Sequence, residues 1–194
     1  VSAAVGLLVL ARLSGAMHED GLADRADGLG GGRDVESKIR IMHDSRMGSY
    51  GVRALILSSA GRLGLLMECL DAFDGLQLVM FIAFIQAASR FQPVAQLSAF
   101  SISPHASLAH LTGQPGTLRL IVGALIWLLP LAWLIGVTTT LMMAMPVVAL
   151  TLWIGSLAMR QIKGLTGDVM GATTIIGEIA LLACWASLAR LVPA

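Results

Sequence analysis

The sequence predicts an all-α, polytopic transmembrane helix bundle, and three observations carry that expectation. The 194 residues are 56% hydrophobic, with a mean hydropathy of +0.80. Only 13% are charged, against about 25% in an ordinary soluble domain, so a soluble chain would lack the polar groups to cover its surface. The apolar residues form long runs of Leu, Ile, Ala and Met, without the two-residue alternation of a membrane β-barrel. The same composition argues against a disordered chain. A net charge of +1 offers no electrostatic footprint for nucleic acid, so no nucleic-acid partner is expected.

Six apolar stretches read as membrane segments: Val1–Ala16, Val52–Leu70, Leu76–Ala88, Leu118–Val137, Leu141–Met159 and Ala172–Val192. Backbone groups inside a bilayer must bond to one another, so each stretch is expected to be helical. The first begins inside an apolar run without the basic start of a signal peptide, and reads as the remainder of a longer helix. The third can extend through Val94 to Leu97, with Pro93 kinking or ending it. Pro130 and Pro146 predict kinks in the fourth and fifth. Abundant Gly and Ala suit close helix packing in lipid. Cys69 and Cys184 lack metal or redox spacing and read as inert buried thiols. No repeat or heptad is present, and the longest polar stretch, about 35 residues, is too short for a separate soluble domain. Residues 1–194 therefore read as one integral-membrane unit.

Basic residues set the orientation. Arg25, Arg33, Lys38, Arg40 and Arg46 lie in the first connection, Arg90 and Arg119 flank the third, and Arg160 and Lys163 lie at the fifth. The second connection has Asp71 and Asp74 but no Lys or Arg, and the fourth is uncharged. The first, third and fifth connections are therefore expected in the cytoplasm. Two polar segments, 17–51 and 161–171, then face the same side.

Those segments carry the chemistry. Twelve of the 25 charged residues fall in Met17–Tyr50, seven of them acidic. Asp20, Asp24 and Asp27 are spaced i, i+4, i+7. On a helix continuing from the first span they lie within about 60° of one another. Hard oxygens at this density suit Mg²⁺, which uses one or two carboxylates plus phosphates and water; the other reading is a solvated acidic face. A glycine run, Gly28–Gly32, follows. Then comes Asp44-Ser45-Arg46, whose guanidinium can fork onto phosphate, with Gly48 and Gly51 permitting close backbone approach. Near the far end, Thr166-Gly167-Asp168 precedes the last span, with Asp168 a helix cap or a metal ligand. Arg62, costing about 2.5–3.5 kcal/mol inside a span, and Glu178 need partners, and pairing with each other is the first reading.

The run His18–Gly28, the glycine run, the Asp44–Gly51 block and the Thr166–Ala172 block, in this order between apolar spans, together resemble the cobalamin synthase family, the adenosylcobinamide-GDP ribazoletransferases. The resemblance covers nearly the whole chain, without the family's N-terminal stretch. It implies a multi-pass enzyme of the bacterial or archaeal cell (inner) membrane, its site facing the cytoplasm, acting in the last stage of cobalamin synthesis. The implied partners are adenosylcobinamide-GDP and α-ribazole or its 5′-phosphate, with GMP released and Mg²⁺ required. On these motif positions, Asp20, Asp24, Asp27 and Asp168 are expected to bind Mg²⁺, with Glu19 a further ligand. Arg46 is expected on the pyrophosphate and the leaving GMP. Ser45, Gly48, Gly51, Thr166 and Gly167 line the substrate. Asp44 is the candidate general base or a further metal ligand, with His18 the alternative base.

The chain departs from the family pattern at His43, where Lys is common, and at Arg25, where a small or neutral residue is usual. The connection 91–117 lacks Lys and Arg, and His105 and His110 within it read as solvated or interfacial. Two rival classes remain: a cation or proton transporter, which would place its acids near the midplane, and a CDP-alcohol phosphatidyltransferase-like enzyme, whose longer aspartate–glycine–arginine signature is not cleanly matched.

Overall fold

Leu, Ile and Ala runs that bond only to themselves become helices, and the computed structural model, which describes residues 1–104 and 113–191, contains eight of them among those residues. They are α1 (Ser2–Ser14), α2 (Met17–Gly31), α3 (Val35–Met42), α4 (Ser49–Ala72), α5 (Gly75–Ala99), α6 (Thr117–Ile135), α7 (Val137–Ile162) and α8 (Gly167–Leu191). His105 and His110 lie outside the described residues. The only pairing of extended backbone among the described residues is a single parallel bridge, Ile102 with Leu165.

Among the described residues, four helices are long and apolar enough to cross a membrane: Gly75–Ala99, Thr117–Ile135, Val137–Ile162 and Gly167–Arg190. Two of the six expected segments differ. α1 is apolar but short. α4 is 24 residues long but carries Arg53, Arg62, Glu68 and Asp71, which dilute its hydropathy. The third segment continues past Pro93 to Ala99 as one helix rather than ending there; neighbouring groups can satisfy the carbonyl that proline leaves without its N–H donor.

The acidic run does not continue the first helix. Gly15 and Ala16 both adopt left-handed backbone. Gly15 N–H donates to Arg12 O and Ala16 N–H to Ala11 O, the paired bonds of a Schellman stop. A new helix, α2, starts at Met17. The polar segment 17–51 is thus not a loop but two helices and the start of a third. α3 opens with a capping box, in which Ser37 N–H donates to Asp34 Oδ1 at 2.8 Å and Asp34 N–H to Ser37 Oγ at 3.1 Å.

α8 is the central helix: 61% of its apolar window is buried, against 11% for α6 at the periphery. One apolar cluster joins Leu66, Phe81, Ile85, Trp127, Leu131, Met143 and Leu181 across α4–α8. Phe73 stacks on Phe81 and on Trp185 within it, and those two rings meet at a tilt. A second cluster, with Ile39, Met42, Leu97, Ile154, Ile162, Leu165 and Val169, seats α3 on the ends of α5, α7 and α8. The first, third and fifth connections meet at this end. Ser103 N–H donates to Leu165 O and Leu165 N–H to Ser101 O. A Cβ on Gly164, at φ 156°, would stand 2.5 Å from Ser103 Cα, so the turn accepts only glycine.

Candidate functional site

Glycines decide where the acidic run sits. A Cβ on Gly21 of α2 would stand 3.0 Å from Asp168 Cα and 3.3 Å from Gly171 Cα on α8. One on Gly171 would stand 3.3 Å from His18 Cα. The two backbones cross with no room for a side chain, an approach that small residues alone permit. Asp20 and Asp24 flank Gly21, and Asp168 is in the first turn of α8. The crossing therefore brings carboxylates from the two ends of the chain into one neighbourhood.

The crowding is visible in Asp24. Burial, then the charges of Asp20, Asp168 and Asp27, push its pKa up to about 6, with His43 acting in the opposite sense. A cation relieves such repulsion. Among the described residues, no three His, Cys, Asp or Glu side chains form a ready-made ion cage. The expected ligands share a neighbourhood without converging on one point. Mg²⁺ completes its shell with phosphate and water, so this set of crowded hard oxygens fits it chemically.

Asp27 differs from its neighbours. It is buried, and its Oδ2 accepts from Gly48 N–H at 2.7 Å and its Oδ1 from Gly51 N–H at 2.9 Å. It thereby caps α4 from another helix. Gly48 and Gly51, expected to line the substrate, are glycine because a Cβ at either would run into this carboxylate. Glu19 also has a protein partner: its Oε1 accepts from Arg62 Nη1 at 2.8 Å. Arg62 in turn pairs with Glu178, as expected, through Nε at 3.1 Å and Nη2 at 3.1 Å.

Asp168 is not the cap of α8. Thr166 takes that role, its Oγ1 accepting from Val169 N–H at 3.4 Å, and it also donates to Asp168 Oδ2 at 3.5 Å. A hydroxyl bonds the first turn without bringing a charge, and the Asp168 carboxylate lies near enough to Asp24 for its charge to act there. Gly167 is exposed, with open space around it.

Asp44 and Arg46 form an exposed pair. Arg46 Nε and backbone N–H donate to Asp44 Oδ1 at 3.0 Å each, and Nη2 donates to Oδ2 at 2.7 Å. These bonds hold the Asp44 carboxyl down to about 2. The Arg46 side chain is 87% exposed, and Ser45 beside it is exposed. His18 is half-buried. Burial, followed by the charge of Arg90, lowers its pKa, so the imidazole is neutral near pH 7.

Two residues, His43 and Arg90, enter that sequence reading did not place in the site. His43 is close enough to stabilise the Asp24 carboxylate. Arg90 acts on His18 and donates through Nη1 to Gln86; in sequence it marked only orientation. Arg25 is buried among α2's neighbours, its Nη1 without a partner, and burial pulls its pKa down to about 10.

Comparison with known proteins identifies the family. A family model described as cobalamin-5-phosphate synthase matches residues 1–186. Three similar proteins are named adenosylcobinamide-GDP ribazoletransferase. That of a Sinorhizobium species is 36% identical over 93% of this chain and 71% of its own length. That of Bradyrhizobium diazoefficiens is 38% identical over 94% and 69%. That of Azorhizobium caulinodans is 40% identical over 94% and 70%. No solved structure matches significantly. A chain matched almost end to end by one family model, and by enzymes of that kind over most of its length, belongs to the cobalamin-5-phosphate synthase family.

Proposed function

We propose that the protein is a Mg²⁺-dependent transferase that joins adenosylcobinamide-GDP to α-ribazole or its 5′-phosphate and releases GMP. It works in the bacterial or archaeal cell (inner) membrane with its site toward the cytoplasm. The observation that supports this best is the Gly21–Gly171 crossing, which sets Asp20 and Asp24 beside Asp168. The basic residues of 17–51 and 160–163, at the same end, support a cytoplasmic orientation.

In the reaction a hydroxyl oxygen of α-ribazole attacks the phosphorus attached to cobinamide. The bond from that phosphorus to the GMP oxygen breaks, and GMP departs with the electron pair. Positioning and charge stabilisation are the protein's main tasks in such transfers. Asp20, Asp24 and Asp168 would hold Mg²⁺, with Asp27 and Glu19 behind them because their oxygens already serve Gly48, Gly51 and Arg62. The ion would neutralise the diphosphate. Arg46, exposed and oriented by Asp44, would bind the leaving phosphate. Of the two candidate bases, His18 is the better suited. It is neutral near pH 7, whereas Asp44, held at about 2, is a weak proton acceptor. His18 takes the hydroxyl proton.

The test is GMP release by the purified full chain given adenosylcobinamide-GDP, α-ribazole and Mg²⁺. Release that depends on all three is expected. No GMP, under conditions where a homologous ribazoletransferase turns over, overturns the reading.

A further inference from the structure

The site acids sit on α2, a helix that nothing local holds in place. It follows a break at Gly15–Ala16, and its N-cap, Ala16, offers no side chain to its first turn. Yet α2 meets α8 at a crossing so close that a Cβ on Gly21 would stand 3.0 Å from Asp168 Cα.

Two acids fasten it to α4. At one end, Asp27 accepts the N–H groups of Gly48 and Gly51. At the other, Glu19 accepts from Arg62 Nη1 at 2.8 Å. The remaining nitrogens of that guanidinium, Nε and Nη2, hold the two oxygens of Glu178 on α8, each at 3.1 Å. Arg62 is 5% and Glu178 1% exposed, so the pairing is shielded from water. Only a planar fork can serve two carboxylates from three nitrogens. Glu178 lies ten residues beyond Asp168, about 15 Å along α8, too far to touch the same ion or substrate phosphate.

We infer that Glu178 and Arg62 are positioning residues: α8 uses Glu178 to aim Arg62, Arg62 holds Glu19, and this fixes the first turns of α2 so that Asp20 and Asp24 face Asp168. The inference rests on the site assignment given under Proposed function, but its readout does not need turnover.

The experiment compares wild type and Glu178→Gln by amide hydrogen exchange of the full chain in lipid nanodiscs, with Mn²⁺ affinity by paramagnetic resonance as a second measurement. Exchange of the His18–Asp24 amides is expected to rise at least tenfold in Glu178→Gln, while α3 and the middle of α7 keep their wild-type rates. Mn²⁺ affinity falls about tenfold. Uniformly faster exchange in all helices, or unchanged exchange in α2, overturns the inference, since a contribution to general stability gives the first and no role gives the second. If Glu178→Gln does not fold, Arg62→Lys keeps the charge and loses the fork, and the same local rise is required of it. Failure of the proposed reaction appears separately, as absence of GMP release by wild type with the exchange pattern intact.

Discussion

Asp27 of α2 holds the N-terminus of α4 through Gly51, whose N–H donates to Asp27 Oδ1 at 2.9 Å in a buried bond. The motif glycine is required by this carboxylate, whatever it also does for substrate. Gly51→Ala places a methyl group against Asp27 and is expected to destabilise the protein by about 1–3 kcal/mol. Asp27→Ala strands two N–H groups at a similar cost, about 1–3 kcal/mol. Thermal unfolding in detergent reads both, and a Gly51→Ala midpoint equal to wild type refutes the packing argument.

Gly21→Ala tests the helix crossing. Its methyl would face the backbone of Asp168 at 3.0 Å, and backbone cannot rotate away as a side chain can. α2 and α8 must separate, so turnover is expected to fall at least tenfold with a stability loss of about 1–3 kcal/mol. Gly61→Ala, on α4 in open space, should leave turnover unchanged and stabilise by about 0.5–1 kcal/mol.

Asp24 links stability to pH. Its folded pKa, about 6, lies above the ordinary 3.8, so the fold favours the protonated form. Stability from this group is therefore full below about pH 4 and declines as pH rises through 6. Asp24→Asn should abolish that decline, and above pH 6 should be more stable than metal-free wild type. Adding Mg²⁺ at pH 7.5 should raise the wild-type midpoint and leave Asp24→Asn nearly unmoved. Equal Mg²⁺ responses would remove Asp24 from the metal site.

His18 sets the acid limb of activity. A base whose pKa is lowered by burial and by Arg90 loses function only when pH drops below its ordinary 6.5. The midpoint of kcat/KM should lie under that value, and His18→Gln should cut turnover by about 10²–10⁴. An unchanged pH profile in His18→Gln would assign the base elsewhere.

Arg25 is a buried cation whose Nη1 has no partner. Replacing it with methionine keeps the bulk and removes the desolvation penalty, so Arg25→Met should stabilise the protein by about 1–3 kcal/mol. That corresponds to a rise of roughly 2–4 °C for each kcal/mol in a chain of this size. A fall in the midpoint would mean that the guanidinium is solvated or engaged in the native protein.

Much of this was legible in the residues. Scarce charge placed the chain in the bilayer, because polar surface is what water demands and lipid refuses. Clustered carboxylates and motif blocks, at their spacing, pointed to 17–51 and 161–171, two segments that the fold brings together at Gly21 and Gly171. The need of Arg62 and Glu178 for each other followed from the cost of charge in a span. What composition misled on was continuity. Gly15–Ala16 looked like the end of a span leading into its own helix, but two left-handed residues make a stop that only backbone dihedrals reveal. Tertiary structure alone decided the division of labour among the acids. Asp27 and Glu19 resemble Asp20 and Asp24 in sequence, yet one caps α4 and the other grips Arg62. An acid's role depends on which N–H or cation the fold brings within 3 Å: α4 brings Gly51 to Asp27 and Arg62 to Glu19, while the close crossing of Gly21 and Gly171, 150 positions apart, brings the other α2 acids toward Asp168.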